Sequence, residues 1–206
     1  MKWDPKGPPP PYGYFAPSNI VLASDGFRYA LLLGSDPNGN GRMCVMRTQT
    51  LDDPMSWRAW DGAGFNLQMT SPYTGPAPAL CGAVATNYVS QLTLTYNTYL
   101  GKYMVMGGTV QGGPLEPVCG FFYALSSDLI TWSPLRLVRE AHVPWFTQCL
   151  VSPSIAATYP SIIDHSDTTE SFERSGQTPY LYYTRFNTQS LDRDLVRVPV
   201  TITVHP

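Results

Sequence analysis

Apolar residues along this chain fall in short runs, among them SNIVLAS, DGFRYALLLG, QLTLTYN, LGKYMVMGG and PYLYYTRF, separated by stretches rich in Gly, Pro, Asn and Asp. Runs of this length, bounded by turn residues and carrying aromatic and β-branched side chains, predict strands. The 20 Pro and 17 Gly punctuate the chain too often for long helices. An all-β fold is expected.

The runs also repeat. At a constant offset, Gly26 falls on Gly101, Cys44 on Cys119, Asp53 on Asp128 and Trp57 on Trp132, each pair 75 positions apart. The first copy reads DGFRYALLLG, RMCVMRTQTLDDPMSW and RAW; the second reads LGKYMVMGG, VCGFFYALSSDLITW and SPLRLV. SNIVLAS precedes the first and QLTLTYN the second, so each unit supplies four antiparallel strands. A weaker third copy, YPSIIDH, PYLYYTRF and LDRDLVRVPVTITV, keeps an Asp-Leu pair at Asp194-Leu195, expected in the same turn, but has Val198 at the tryptophan position. Recurring four-stranded units are the blades of a β-propeller. The blades are expected over about 14–65, 86–140 and 155–204, behind a Pro-rich lead-in over 1–13 whose Pro8 to Pro11 favour a stiff extended helix. Asp53 and Asp128 are expected to cap turns and the tryptophans to fill the gaps between blades.

The net charge of −2 and pI near 5.8 leave no positive field for a phosphate backbone, so nucleic acid is excluded as a partner. No apolar run approaches the roughly 20 residues of a membrane helix, and the N-terminal residues carry no signal-type apolar segment. A removed signal would leave the same trace, which keeps secretion open. Of the four cysteines, Cys44 and Cys119 stand in strand-like runs and are read as buried free thiols. Cys81 and Cys149 stand in loop-like stretches where a disulfide is open. The absence of CxxC or Cys/His spacing argues against a zinc site.

The phrases APSNIVLASDGFRYALL, LTYNTYLGKYMVMGG, YALSSDLITWSPLRL and YPSIIDH with PYLYYTRF resemble five-bladed β-propellers of the glycoside hydrolase type, as in arabinanases, β-xylosidases and invertases. The segment from Asp53 to Phe65, with Ser56-Trp57-Arg58-Ala59-Trp60-Asp61-Gly62 at its centre, is similar to one in bacterial propellers of that group. The resemblance covers nearly all of 14–204 and implies a five-bladed fold with carbohydrate as partner. At 75 residues per unit, 206 residues hold fewer than three full blades. Exposed blade faces imply the missing blades of a larger chain or a homo-oligomer. Axial calcium occurs in relatives, but no ligand cluster here requires it or any other cofactor.

Glycosidases place two carboxyls across the scissile bond, which in the resembled families stand where the innermost strands begin. Here those places hold Ala16, the stretch from Tyr88 to Gln91, and Tyr159. With the inner strands running from upper to lower face, Asp25, Asp53, Asp128 and Asp164 belong to lower turns, and the acidic HSDTTESFERSG reads as a solvated loop. Upper-face carboxyls are Asp36, Asp61, Glu116 and Glu140. Glu140 is the first catalytic candidate, since His142 could assist proton transfer and Trp145 could stack on a pyranose; Glu116 is the second. Ser18, Asn19, His142, Trp145 and Tyr159 are the substrate-binding candidates, and His165 and His205 read as surface residues. Two functions follow. One is a glycoside hydrolase-like propeller acting on or binding polysaccharide at its axis; the other is a non-catalytic carbohydrate-binding or assembly module lacking the axial carboxylates.

Overall fold

In a computed structural model the chain is described over residues 13–35, 41–68, 79–85, 89–113, 115–149, 156–187 and 192–204. The Pro-rich lead-in, Asp36 and His205 lie outside the described residues. The chain divides after Tyr88 into two compact units. The described residues are built of β-strands and turns, in sheets of the propeller-blade kind.

The first unit is one sheet. Its innermost strand is broken into β1 (Gly13–Phe15) and β2 (Val21–Leu22), both paired antiparallel with β3 (Arg28–Ser35). Across the break Ser18 takes over the ladder: its N–H donates to Leu31 O at 2.8 Å, and its hydroxyl accepts from Leu31 N at 3.0 Å. β3 pairs along its whole length with β4 (Gly41–Thr48), followed by the short β5 (Arg58–Ala59) and β6 (Leu67–Gln68). Leu32, Cys44, Ala59 and Cys81 form a buried cluster flanked by Tyr14, Met46 and Leu67.

The second unit holds two sheets. One runs β7 (Ser90–Asn97), β8 (Lys102–Gln111), β9 (Val118–Ser126) and β10 (Arg136–Glu140) from inside outward, and the other runs β11 (Ala157–Ile163), β13 (Tyr180–Phe186) and β14 (Arg193–Pro199). Their facing side chains, Met104, Met106 and Phe121 against Ile162, Leu181 and Tyr183, make one core. The Phe121 and Tyr183 rings lie 5.4 Å apart. This is the sheet-on-sheet burial that lets blade-type sheets fold together where neither would stand alone.

The repeat at 75 residues is visible in the structure. Asp53 Oδ1 accepts from Met55 N, and Asp128 Oδ1 accepts from Ile130 N and Thr131 N, so both aspartates cap the turn after the third strand of their sheets. Burial pushes the Asp128 carboxyl upward, but the donors from Thr131, Ile130 and Ser126 outweigh it and hold the pKa below the ordinary value.

Three expectations are corrected. Asp194 and Leu195 stand inside β14, opposite Arg185 and Thr184, rather than in a turn. β14 alternates half-buried and exposed positions, and Asp194 falls at a half-buried one, where Arg185 of β13 pairs with it at 2.7 Å. The stretch from Asp164 to Gly176 is not merely a solvated loop. Asp164 accepts from Ser166 N and Gly176 N, Asp167 accepts from Thr169 N and Arg174 N, and this internal scaffold lays β12 (Arg174–Ser175) parallel along β7. There Ser175 is 2% exposed and receives a bond from Asn97, itself fully buried, at 3.1 Å.

The third correction concerns the cysteines. Cys44 bonds Cys81 and Cys119 bonds Cys149, with Cα atoms 5.9 and 5.8 Å apart, and no cysteine is free. Both strand cysteines are repeat-equivalent, and each side chain leaves its strand toward a loop that its own unit folds back. The pairing therefore joins strand to loop within a repeat, and not loop to loop.

Candidate functional site

At the same place in each innermost strand a non-glycine residue adopts left-handed backbone: Ala16 at φ 49°, Gln91 at φ 58° and Tyr159 at φ 55°. In β7 and β11 these residues sit at register shifts, between Ser90 and Thr93 and between Thr158 and Ser161. Such backbone is costly for residues with a Cβ, on the order of 1–2 kcal/mol, and re-aims the side chain out of the ladder. They fall at the strand starts singled out in the sequence, Ala16, the stretch ending at Gln91, and Tyr159.

In the second unit the two bulges meet. Tyr159 N donates to Gln91 Oε1 at 3.0 Å. The chain between β10 and β11 brings a third residue to the same place. After Glu140 it folds back: Ala141 N donates to Cys119 O, and Val143 is fully buried against Gly108, where an added Cβ would stand 3.1 Å from Val143 Cγ1. His142 O accepts from Ala157 N at 2.9 Å, forming a parallel bridge to the start of β11. Trp145 follows, its ring 6.4 Å from that of Tyr159 and inclined at 62°. Both rings remain open, Trp145 at 52% and Tyr159 at 45% exposure. Two large exposed aromatics in edge contact, one on a bulge and one on a loop pinned by a buried valine and a disulfide-bonded Cys149, form a fixed apolar step beside a polar amide.

His142 is half-buried, its backbone bridged to the start of β11. Glu140 is the exposed last residue of β10, opposite Gly120, on the outermost strand. Three ladder spacings, roughly 14 Å, separate that strand from β7. Glu116 is exposed in the turn between β8 and β9, its N–H donating to Gly113 O. Ser18 and Asn19 belong to the first unit, and the Ser18 hydroxyl is engaged with Leu31 N and Asn19 O. His165 is exposed, stacked on Tyr180 at 4.5 Å and bonded to Tyr182 Oη at 2.7 Å. Among the described residues no three His, Cys, Asp or Glu side chains group as metal ligands.

The part of Gln91 was missed by sequence reasoning. Its signal was available, since Gln91 lies 75 residues after Ala16, the position already singled out at the first strand start.

No protein-family model and no curated protein matches the chain. Solved structures do. A thermostable family-43 glycoside hydrolase superposes with a TM-score of 0.57 at 11% identity, over 94% of this chain and 52% of that one. An N-acetylgalactosamine deacetylase from F. plautii, in complex with blood group B trisaccharide, gives 0.55 at 11% identity over 96% and 52%. An endo-1,4-beta-xylanase from Bacteroides thetaiotaomicron gives 0.52 at 14% identity over 94% and 55%. The chain thus has the fold of the glycoside hydrolase-type propellers and spans about half the length of these structures.

Proposed function

We propose that the second unit binds a carbohydrate chain on the step formed by Trp145 and Tyr159, with Gln91 orienting the sugar through its amide. The observation that carries this reading is the exposure of both rings at a fixed 6.4 Å separation, beside the strained starts of the innermost strands. A pyranose has an apolar face and a polar rim, and an aromatic ring next to a hydrogen-bonding amide complements both. Covering about 80 Å² of ring surface contributes roughly 2 kcal/mol. The three strand starts hold Ala, Gln and Tyr, so binding without hydrolysis is the primary reading.

A second reading, hydrolysis, is supported by the glycoside hydrolases among the fold neighbours. It assigns the acid to Glu140, with His142 assisting, and the second carboxyl to Glu116. A panel of arabino-, xylo- and fructo-oligosaccharides, assayed for binding and for reducing-end release, decides between them. Binding without turnover, unchanged in Glu140→Gln, is expected. Turnover reduced by orders of magnitude in that variant would establish the hydrolytic reading instead.

A further inference from the structure

The first unit carries a separate cationic cavity. Arg47 on β4 and Arg58 on β5 are direct cross-strand partners, an arrangement that sets two like charges on neighbouring positions of one sheet face. Arg47 is held rigidly. Its guanidinium carbon lies 4.0 Å from the Phe27 ring centre and 4.1 Å from that of Phe65, so the plane is clamped between two aromatic faces. Behind it, Nη1 donates to Tyr29 Oη at 3.2 Å and lies 3.8 Å from Asp25 Oδ2, which Tyr29 Oη also reaches at 2.7 Å. Arg58 Nη1 donates to the carbonyls of Met55 and Trp57 at 2.7 and 2.9 Å. Of the five N–H donors on each guanidinium, these bonds engage Nη1 in both cases.

Both arginines line one cavity of about 220 Å³, with Gln49, Thr50 and the two phenylalanines completing much of its wall. None of its lining residues is acidic. Asp25, the carboxylate facing Arg47, belongs to the network behind the guanidinium and not to the cavity wall. The volume equals roughly seven waters, more than a bare oxyanion displaces, and the amide and hydroxyl on the wall match a ligand with hydroxyl groups.

We propose that this cavity binds a carboxylate-bearing saccharide, its carboxylate bridging Arg47 and Arg58 and its hydroxyls meeting Gln49 and Thr50. With Asp25 already beside Arg47, the ligand carboxylate supplies the second negative charge for the arginine pair, and the clamp on Arg47 holds the fork in place before binding, so little order is lost on complexation. The site is built within the first unit, and its proposal does not depend on the reading of Trp145 and Tyr159.

The test is calorimetric titration of the full chain with glucuronate, glucose and inorganic sulfate. Glucuronate is expected to bind with a Kd of about 1 mM or below, weakening as salt rises, while sulfate and glucose each bind at least tenfold less tightly. Arg58→Gln should weaken glucuronate at least tenfold with an unchanged circular dichroism spectrum, and Arg47→Met should do the same while keeping an apolar body between the rings. The proposal is overturned if glucose matches glucuronate, if sulfate binds as tightly as the sugar acid, if folded Arg58→Gln retains wild-type affinity, or if glucuronate does not bind.

Discussion

Gln91 and Tyr159, both in left-handed backbone and 68 residues apart in sequence, are joined by a hydrogen bond from the Tyr159 amide to the Gln91 side chain at 3.0 Å. The bond links the bulge of one innermost strand to the bulge of the next within the second unit. Each bulge thereby helps fix the other, and the exposed Tyr159 ring is held against Trp145.

Gln91→Leu removes the acceptor for Tyr159 N and should cost about 1–2 kcal/mol in urea unfolding, the lower end reflecting solvent access. Gln91→Glu offers an oxygen in the same place and should stay within about 0.5 kcal/mol of wild type at neutral pH. Equal losses in the two variants would show that the bond does not hold the bulge.

Ala16→Gly is expected to stabilise the first unit by roughly 0.5–1 kcal/mol, because relief of the left-handed backbone outweighs the extra freedom glycine brings to the unfolded chain. Ala30→Gly, in the ordinary backbone of the fully paired β3, should destabilise. Thermal unfolding of the two variants separates the cases by sign.

Each disulfide closes a loop within its own unit, spanning 37 residues for Cys44–Cys81 and 30 for Cys119–Cys149. Loop-closure entropy makes each worth about 3–4 kcal/mol. Peptide mapping without reductant should recover these two pairs, and Cys119→Ser with Cys149→Ser should lower Tm by several degrees. Recovery of a Cys81–Cys149 peptide would contradict the strand-to-loop pairing.

The fold was legible because the dry positions of a blade strand must be apolar on a short period, and because the Asp-Leu-x-x-Trp turn in the second copy returns at a fixed offset. The inner break at Ala16 and the disulfides were less legible for a shared reason. Both depend on where a strand turns its side chains, which a run of apolar letters such as MCVM does not state. The loop over Asp164–Gly176 misled because acidic residues read as solvated, whereas here they accept backbone N–H groups and build β12. Of the site, Trp145 and Tyr159 were named from chemistry, but their proximity follows from the fold-back that packs Val143 closely against Gly108.

The same acidic loop gives a pH dependence. Donors from the Ser166 hydroxyl, Ser166 N and Gly176 N hold the Asp164 carboxyl below the ordinary range despite partial burial. A group with a lowered folded pKa contributes stability that is fully present above its unfolded value, near 3.9, and lost as pH falls through the folded value. Asp164→Asn should therefore cost about 1–2 kcal/mol at pH 7, with the difference from wild type shrinking below about pH 4. A cost that does not change with pH would assign the effect to packing.

Sugar binding on the aromatic step is tested most directly by titration of neutral oligosaccharides into wild type, Trp145→Ala and Tyr159→Ala. The predicted result is about tenfold or greater weakening in each variant, with unfolding midpoints close to wild type for Trp145→Ala, since its ring is half exposed. Unchanged affinity in both folded variants would contradict it.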